Sequence, residues 1–348
     1  MSDASFQLLL PYLENTHNHT LWIADENVLH SGQAVTPHED LDVITNRYDV
    51  YRQCLKQSLQ TRFSDYDLSY LPDNSVDTVV YRVSKEKPVV HHIINEAFRT
   101  LKAGGNLVIS GEKSDGTKSY IEKAGKLFGQ KIPARKSGNS YLGVILKTSR
   151  NDVPQRLDDK EYPRIREIHT SLETPTLSKP GLFGWDKEDQ GSRLLMDTAS
   201  HYFQNHTPPQ SILDLGCGYG YLTLRSASWP QVKYRCATDN NAAAIACATE
   251  NFNRAQMAVV VIADDCASGI NEKFDCILCN PPFHQGFSVD SSLTDKFLRN
   301  SSERLSSQGI ALFVVNQFIG LEKKAKGYFS RVETLTRDQQ FKVIALTR

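Results

Sequence analysis

Two short stretches of this 348-residue chain carry residue types that could do chemistry. The first is residues 211–220, Ser-Ile-Leu-Asp-Leu-Gly-Cys-Gly-Tyr-Gly. Gly216, Gly218 and Gly220 stand at alternate positions behind an acid, Asp214, with Cys217 between the first two. Glycines so placed permit a tight turn that a Cβ would obstruct. Such a turn brings backbone N–H groups close to a ligand at the start of the next helix. That is nucleotide-type chemistry, although Tyr221 departs from the dinucleotide fingerprint Gly-x-Gly-x-x-Gly/Ala, which needs a small residue there. The second stretch ends in Asn280-Pro281-Pro282-Phe283. The prolines fix φ and remove two N–H donors, so the chain stays extended and its carbonyls are free to face a cleft. Asn280 offers an acceptor and a donor, and Phe283 offers a stacking face. The set suits a planar substrate bearing an NH2 group.

Elements of definite kinds must position these residues. Ile212, Leu213 and Leu215 read as a short buried parallel strand, followed by a helix over residues 221–228. Residues 276–279 read as a second buried strand that delivers Asn280. A strand over 233–238 leads to Asp239, 25 residues after Asp214. A carboxylate at the end of the second strand is where a ribose diol is gripped. Asp239 could instead cap the helix that begins at Ala242, and Asp239 and Asn240 together could fill both roles. A strand over 258–263 ends in Asp264 and Asp265. These are two further acceptors at a strand end, and the spacing does not decide between them.

Composition sets the outer bounds. The length suggests two domains, and 40 basic residues balance 40 acidic ones. That balance lacks the basic excess of a protein living on naked nucleic acid. No run of 18 apolar residues is present, so no membrane span is expected. The N-terminal sequence does not read as a signal peptide. Of seven cysteines, Cys276 and Cys279 form a C-x-x-C with no second pair at zinc spacing. On a strand these two face opposite sides. Reduced core thiols, no metal and a cytoplasmic location are expected.

The first half repeats the pattern without the chemistry. A strand over 20–24 ends at Asp25 with no glycine turn behind it. Residues 76–83 form another strand, with Ser84-Lys85-Glu86-Lys87 where the second half has Asn-Pro-Pro-Phe. A helix carries Val90, Ile93, Ile94, Ala97, Phe98 and Leu101. Gly104 and Gly105 stop it, and a strand follows over 106–110. The second half shows the same order: a helix over 293–305, a stop at Gly309, a strand over 310–315. A duplicated α/β domain is inferred, its first copy having lost the site; an unrelated α/β partner domain is the alternative. Lys85, Lys87, Lys113, Lys118, Lys123, Lys126, Lys131, Arg135 and Lys136 give residues 85–136 a basic bias. It suits either a solvated face or an RNA-contacting surface. Residues 149–163 have the composition of a linker. Residues 164–178 suggest a hairpin, and Asp189 or Ser192 could cap the helix carrying Leu194, Leu195 and Met196.

Asp-x-Gly-x-Gly-x-Gly resembles motif I of the class I S-adenosylmethionine methyltransferases. Asn280-Pro-Pro-Phe resembles their motif IV, found where exocyclic or amide nitrogens are alkylated. Residues 181–195, Gly-Leu-Phe-Gly-Trp-Asp-Lys-Glu-Asp-Gln-Gly-Ser-Arg-Leu-Leu, resemble the segment preceding motif I in the ribosomal-RNA guanine-N2 methyltransferases of the RsmC/RlmG type. His284 after Asn-Pro-Pro-Phe is typical of that family. The resemblance implies an α/β chain of two tandem Rossmann-like class I methyltransferase domains. Residues 1–150 would be a degenerate copy with possible RNA contact, and residues 160–348 the catalytic one. It implies S-adenosylmethionine as cofactor, held by Asp214, Gly216, Cys217, Gly218, Gly220, Asp239, Asn240, Asp264, Asp265 and Asn280. Asn280, Pro281, Pro282 and Phe283 would serve the methyl transfer. The implied partner is ribosomal RNA in the small subunit or its assembly intermediate, for a monomeric enzyme. The branch acting on 16S RNA is the leading reading. The 23S branch, which shares the run at 280–285, is its nearest rival. Adenine-N6 and protein-glutamine methyltransferases are more distant, since they usually carry Tyr after the prolines. A non-catalytic RNA-binding assembly factor would suit the first half alone. An NAD-dependent oxidoreductase is disfavoured by Tyr221.

Overall fold

The computed structural model describes residues 3–30, 34–149, 155–282 and 291–348. Its contacts divide the chain into two compact units, Met1–Arg164 and Ile165–Arg348.

In the first unit, α1 (Ala4–Gln7) and α2 (Leu10–Leu13) precede β1 (Thr20–Ile23), β2 (Leu41–Thr45), α3 (Tyr48–Lys56) and β3 (Gln60–Phe63). Then come β4 (Val76–Arg82), α4 (Lys87–Thr100), β5 (Leu101–Glu112), α5 (Thr117–Leu127), β6 (Arg135–Ser137) and β7 (Ser140–Leu146). The sheet order is β3-β2-β1-β4-β5-β7-β6. The second unit opens with the antiparallel hairpin β8 (Arg166–Ile168) and β9 (Thr176–Ser178). It continues through α6 (Gln190–Tyr202), β10 (Ser211–Leu215), α7 (Tyr221–Arg225), β11 (Tyr234–Asp239), α8 (Ala242–Arg254) and β12 (Val260–Ala263). It ends with β13 (Phe274–Cys279), α9 (Ser291–Arg304), β14 (Leu305–Asn316), α10 (Leu321–Ala325), β15 (Arg331–Arg337) and β16 (Phe341–Thr347). Its order, β12-β11-β10-β13-β14-β16-β15, repeats the first strand for strand.

Central strands buried on both faces explain the uninterrupted apolar runs. In β10, Leu213 and Leu215 enter one core cluster and Ile212 the other. In β13, Ile277 and Cys279 face the first of these clusters, and Cys276 and Leu278 the second. The C-x-x-C thus straddles the sheet, and its thiols are free and buried.

Strand register makes the repeat exact to the residue. Thr20 pairs with Thr78 and Ile212 with Cys276, while Val76 pairs with Leu101 and Phe274 with Leu305. Counting along the strands sets Trp22 against Asp214, Ala24 against Gly216 and Arg82 against Asn280. The β1–β2 and β10–β11 pairs set Thr45 against Asp239. The β2–β3 and β11–β12 pairs set Ser64 against Asp264. Trp22 packs its ring on Phe6, with centroids 5.6 Å apart, where the other copy has a carboxylate. Arg82 lies among Asp3 (Nε–O 2.6 Å), Asp115 (3.3 Å) and Asp25 (3.8 Å). Burial holds the Asp25 carboxyl well above the usual carboxylate range.

Three expectations change. Gly105 and Gly309 do not stop helices; each lies inside a strand that starts directly after its helix. A Cβ there would meet Asp77 O at 2.8 Å and Phe274 O at 2.9 Å. The glycines therefore permit the close approach of bulged neighbouring strands. The described part of the expected linker belongs to the first unit. Tyr162 is fully buried there and donates to Asp65, and Asn95 bonds both the N–H and the carbonyl of Leu157. The expected helix over 221–228 is two pieces, α7 and a 3-10 turn over Ser226–Ser228.

Within the basic stretch, Lys113, Lys118, Lys126, Lys131, Arg135 and Lys136 are exposed. Lys123 instead turns onto His91 and the Tyr120 ring, and partial burial lowers its pKa.

Candidate functional site

The chain runs outward from β10 to β11 and β12, then crosses back to β13 on the other side of β10. In a doubly wound sheet that reversal opens a crevice at the carboxyl ends of the strands. The glycine turn leaves the end of β10 and Asn280 leaves the end of β13.

All three motif glycines have φ in the left-handed region: Gly216 at +78°, Gly218 at +54° and Gly220 at +91°. The turn is strapped to β11 by N–H donation from Gly216 and Cys217 to Thr238 O, at 2.9 and 3.0 Å. A Cβ on Gly220 would meet the Phe252 ring at 2.6 Å, so this glycine serves the packing of α8 under the turn. Among the described residues a Cβ on Gly218 would meet nothing within 4 Å, so Gly218 borders open space there. Cys217 is buried, and burial pushes its thiol well above its usual value.

Asp214 lies below the turn, fully buried. Its Oδ2 accepts from Thr223 N (3.0 Å) and Thr223 Oγ1 (2.8 Å), pinning the first turn of α7. Its Oδ1 is buried with no hydrogen-bond partner among the described residues. Burial pushes its pKa up to about 7, with the Thr223 bonds opposing and Asp239 adding to the rise. The folded state therefore prefers the protonated form. The associated stability is fully present below the unfolded value near pH 4 and is lost as pH rises through about 7. We expect Asp214→Asn, which keeps an acceptor for Thr223, to abolish that loss. Between pH 5 and 8 the wild-type urea midpoint should fall relative to the variant, the full linkage being on the order of 4 kcal/mol. Parallel midpoints would show that Asp214 titrates normally.

Asp239 bridges the turn and the next helix. Its Oδ2 accepts from Gly218 N and its Oδ1 from Asn241 N, both at 2.9 Å. The cap of α8 is Asn241, which accepts from Ala243 N. The alternative task foreseen for Asp239, capping that helix itself, thus falls to another residue. Asp239 places a carboxylate beside Gly218 at the end of β11. Asn240 is half-buried at the same strand end. Asp264 is buried and closes the turn after β12, accepting from Ser268 Oγ (3.1 Å) and Gly269 N (2.9 Å). That turn holds Cys266 and Ala267 at φ of +56° and +59°. Asp265 pairs with Lys296 on α9.

Asn280 is half-buried. Its Nδ2 donates to Asp189 Oδ2 and to Ser192 Oγ, both at 2.8 Å. Asp189 also caps α6, accepting from Ser192 N at 2.7 Å. Pro281 is buried and Pro282 exposed. Phe283 and His284 lie outside the described residues.

These strand ends bring together Asp214, Gly216, Cys217, Gly218, Gly220, Asp239, Asn240, Asp264, Asp265 and Asn280. S-adenosylmethionine fits this donor set. Among the described residues there is open space over Gly218, an unpartnered buried carboxyl oxygen of Asp214 below the turn, and carboxylates at the ends of β11 and β12. Among the described residues no group of three or more His, Cys, Asp or Glu is disposed to hold a metal ion, and no helix is long and apolar enough to cross a membrane.

Sequence reasoning missed three supporting residues. Thr223 braces Asp214. Asn251 bonds Leu177 through both its N–H and its carbonyl, and also Tyr219 O, so that α8 joins β9 to the glycine turn. Asp189, foreseen only as a cap, also holds Asn280. Asp-x-x-Ser spacing signals a cap but not a contact 91 residues away.

Residues 173–345 match the Methyltransferase small domain family, and residues 7–139 match its N-terminal companion, Methyltransferase small domain N-terminal. The Ribosomal RNA small subunit methyltransferase C of Erwinia tasmaniensis is 30% identical over 270 residues, 77% of this chain and 74% of that one. The protein of the same name from Actinobacillus succinogenes is 28% identical, covering 82% of this chain and 83% of its own. Among solved structures, the T. thermophilus 16S rRNA N2 G1207 methyltransferase, in complex with AdoMet and guanosine, superposes with a TM-score of 0.81. It is 21% identical and covers 99% of this chain and 92% of its own, a likeness of fold.

Proposed function

This chain belongs to the ribosomal RNA small subunit methyltransferase C family, and from that premise we propose that it methylates N2 of one guanine in 16S ribosomal RNA. The observation that carries this reading is Asn280. Both hydrogens of its amide are taken by Asp189 and Ser192, so the side chain has an acceptor, Oδ1, left to offer at the switch point. S-adenosylmethionine, when bound, supplies an electrophilic sulfonium methyl. The chain's own groups orient the amine. Asn280 Oδ1 and the Pro281 carbonyl each accept one N–H of the guanine amino group, which turns the nitrogen lone pair toward the methyl. As positive charge develops on nitrogen, these fixed acceptors stabilise it. The methylated nitrogen is cationic and acidic and gives its extra proton to solvent, so no strong base is needed, and placement contributes much of the remainder. A paired guanine has to be unstacked or offered by unpaired RNA.

In this reading Gly216, Cys217, Gly218 and Gly220 line the cofactor, Asp239 with Asn240 holds the ribose, and Asp264 or Asp265 meets the adenine amino group. The first unit is a degenerate copy. Trp22, Ala24, Thr45, Ser64 and Arg82 at the matched positions support this, because they supply neither the turn nor the acids. Calorimetry of the full chain with S-adenosylmethionine should give one site. A second site of similar affinity would overturn the degenerate-copy reading.

The substrate is tested by single-turnover methylation of unmodified ribosomal subunits, followed by mass mapping of the nucleosides. N2-methylguanine in the small subunit is expected; product in the large subunit alone would move the assignment to 23S RNA. The remaining proposals are that the protein acts as a cytoplasmic monomer on the small subunit or its assembly intermediate. The exposed basic residues of α5 and the β6–β7 hairpin suit RNA contact.

A further inference from the structure

We propose that Asp189 and Ser192 are positioning residues that set which end of the Asn280 amide faces the substrate. The inference rests on the reading of Asn280 given above and extends it to the residues that orient it.

An asparagine amide has two ends of similar shape and opposite polarity. If Nδ2 faced a guanine amino group, donor would meet donor. A carboxylate can only accept, so the Asn280 atom 2.8 Å from Asp189 Oδ2 is the nitrogen. The second hydrogen goes to Ser192 Oγ at the same distance. With both donors spent, Oδ1 is the remaining polar atom of the side chain. A flip would set Oδ1 against the Asp189 carboxylate and take both donors from the acceptors that hold them, so the observed orientation is the stable one.

The local fold makes the arrangement rigid. Asp189 Oδ2 accepts at once from Ser192 N, so one oxygen serves both the α6 cap and the amide. A Cβ on Gly191 would lie 3.2 Å from that oxygen and 3.1 Å from the Phe341 ring. The first unit keeps the same link with a different cargo. Asp3 caps α1, accepting from Ser5 N and Phe6 N, and its other oxygen takes Arg82 Nε at 2.6 Å. Arg82 holds the register position of Asn280. A capping aspartate that grips the residue at the end of the fourth strand is therefore common to both copies. An amide with a free acceptor at that position is found in the second copy.

Four variants test this. Ser192→Ala keeps the helix cap and removes one amide partner; Asp189→Ala removes the other together with the cap. Each should lower kcat by ~10–100-fold while leaving KM for the ribosomal subunit and the cofactor dissociation constant near wild type. The exchange experiment separates orientation from mere support. Asn280→Asp alone sets two carboxylates face to face, so its activity should be low at pH 8 and rise as pH falls and one of them protonates. Adding Asp189→Asn supplies a donor to the new carboxylate. The double variant should exceed Asn280→Asp at least ~10-fold at pH 8 and lose that pH dependence. Unchanged kcat in Ser192→Ala, or a folded double variant no better than Asn280→Asp, would overturn the assignment. If Asp189→Ala fails to fold, the other variants still decide. An active Asn280→Ala would strike the underlying reading of Asn280 instead, so the two failures are distinguishable.

Discussion

Replacing Asn280 with alanine is expected to slow methyl transfer by ~10²–10³-fold while leaving the affinity for S-adenosylmethionine largely intact. The side chain leaves the end of β13, beside the glycine turn rather than within it, and its amide is anchored to the cap of α6. Its carbonyl is worth most when the amine it orients becomes cationic, so the loss falls on kcat more than on KM. The truncation also strands the Asp189 carboxylate, which keeps its bond from Ser192 N, so the cap of α6 should survive. Single-turnover rates with unmodified small subunits, alongside calorimetry with the cofactor, are the measurements. Near-normal turnover would remove Asn280 from the chemistry.

The second large effect is expected at Asp239. Asp239→Ala should weaken cofactor binding by ~1.5–3 kcal/mol, the usual loss of a charge-assisted acceptor for a hydroxyl pair. That corresponds to roughly 10–150-fold in dissociation constant. The structure adds a second contribution of the same sign. Asp239 Oδ2 holds Gly218 N, and Oδ1 holds the backbone entering α8. The variant therefore also loosens the turn that lines the ligand. Asp239→Asn separates the two contributions, since its amide oxygen can keep Gly218 N while the charge is lost. The asparagine variant is expected to fall between wild type and alanine by calorimetry. An alanine variant that folds and binds normally would leave Asp239 with a purely structural task.

Much of the second unit was legible because its signals are local. The apolar runs of β10 and β13, the alternate glycines and the Asn-Pro-Pro run each lie within ten residues of sequence. The first unit was legible only in part. β3 reads Gln-Thr-Arg-Phe and is half exposed, so no apolar run marks it, and β2 is a short run carrying Asp42. The strand-for-strand repeat became exact only through pairing register, which sequence spacing does not contain. Roles that join distant segments were invisible for the same reason. Nothing near Asn280 indicates that its amide hydrogens belong to Asp189 and Ser192. Nothing near Asp214 says that it spends its strength on Thr223, although helix Tyr221 onward was foreseen. Gly105 and Gly309 misled because a glycine after a helical run has two uses, and only the neighbouring strand reveals which applies.

Arg82, at the register position of Asn280, also bears on what it would take to build such a site into the first unit. Arg82→Asn would withdraw a guanidinium from among Asp3, Asp25 and Asp115, leaving buried acids uncompensated. Removing one partner of such a cluster costs roughly 3–5 kcal/mol, against the ~5–15 kcal/mol that holds a whole domain together. Trp22→Asp would trade a ring packed on Phe6 for one more acid in the same interior. Each exchange, made alone, is therefore expected to destabilise the first unit. The positions that lead to the site in the second unit are thus committed to interior stability in the first, where Arg82 and Trp22 hold ion pairs and ring packing.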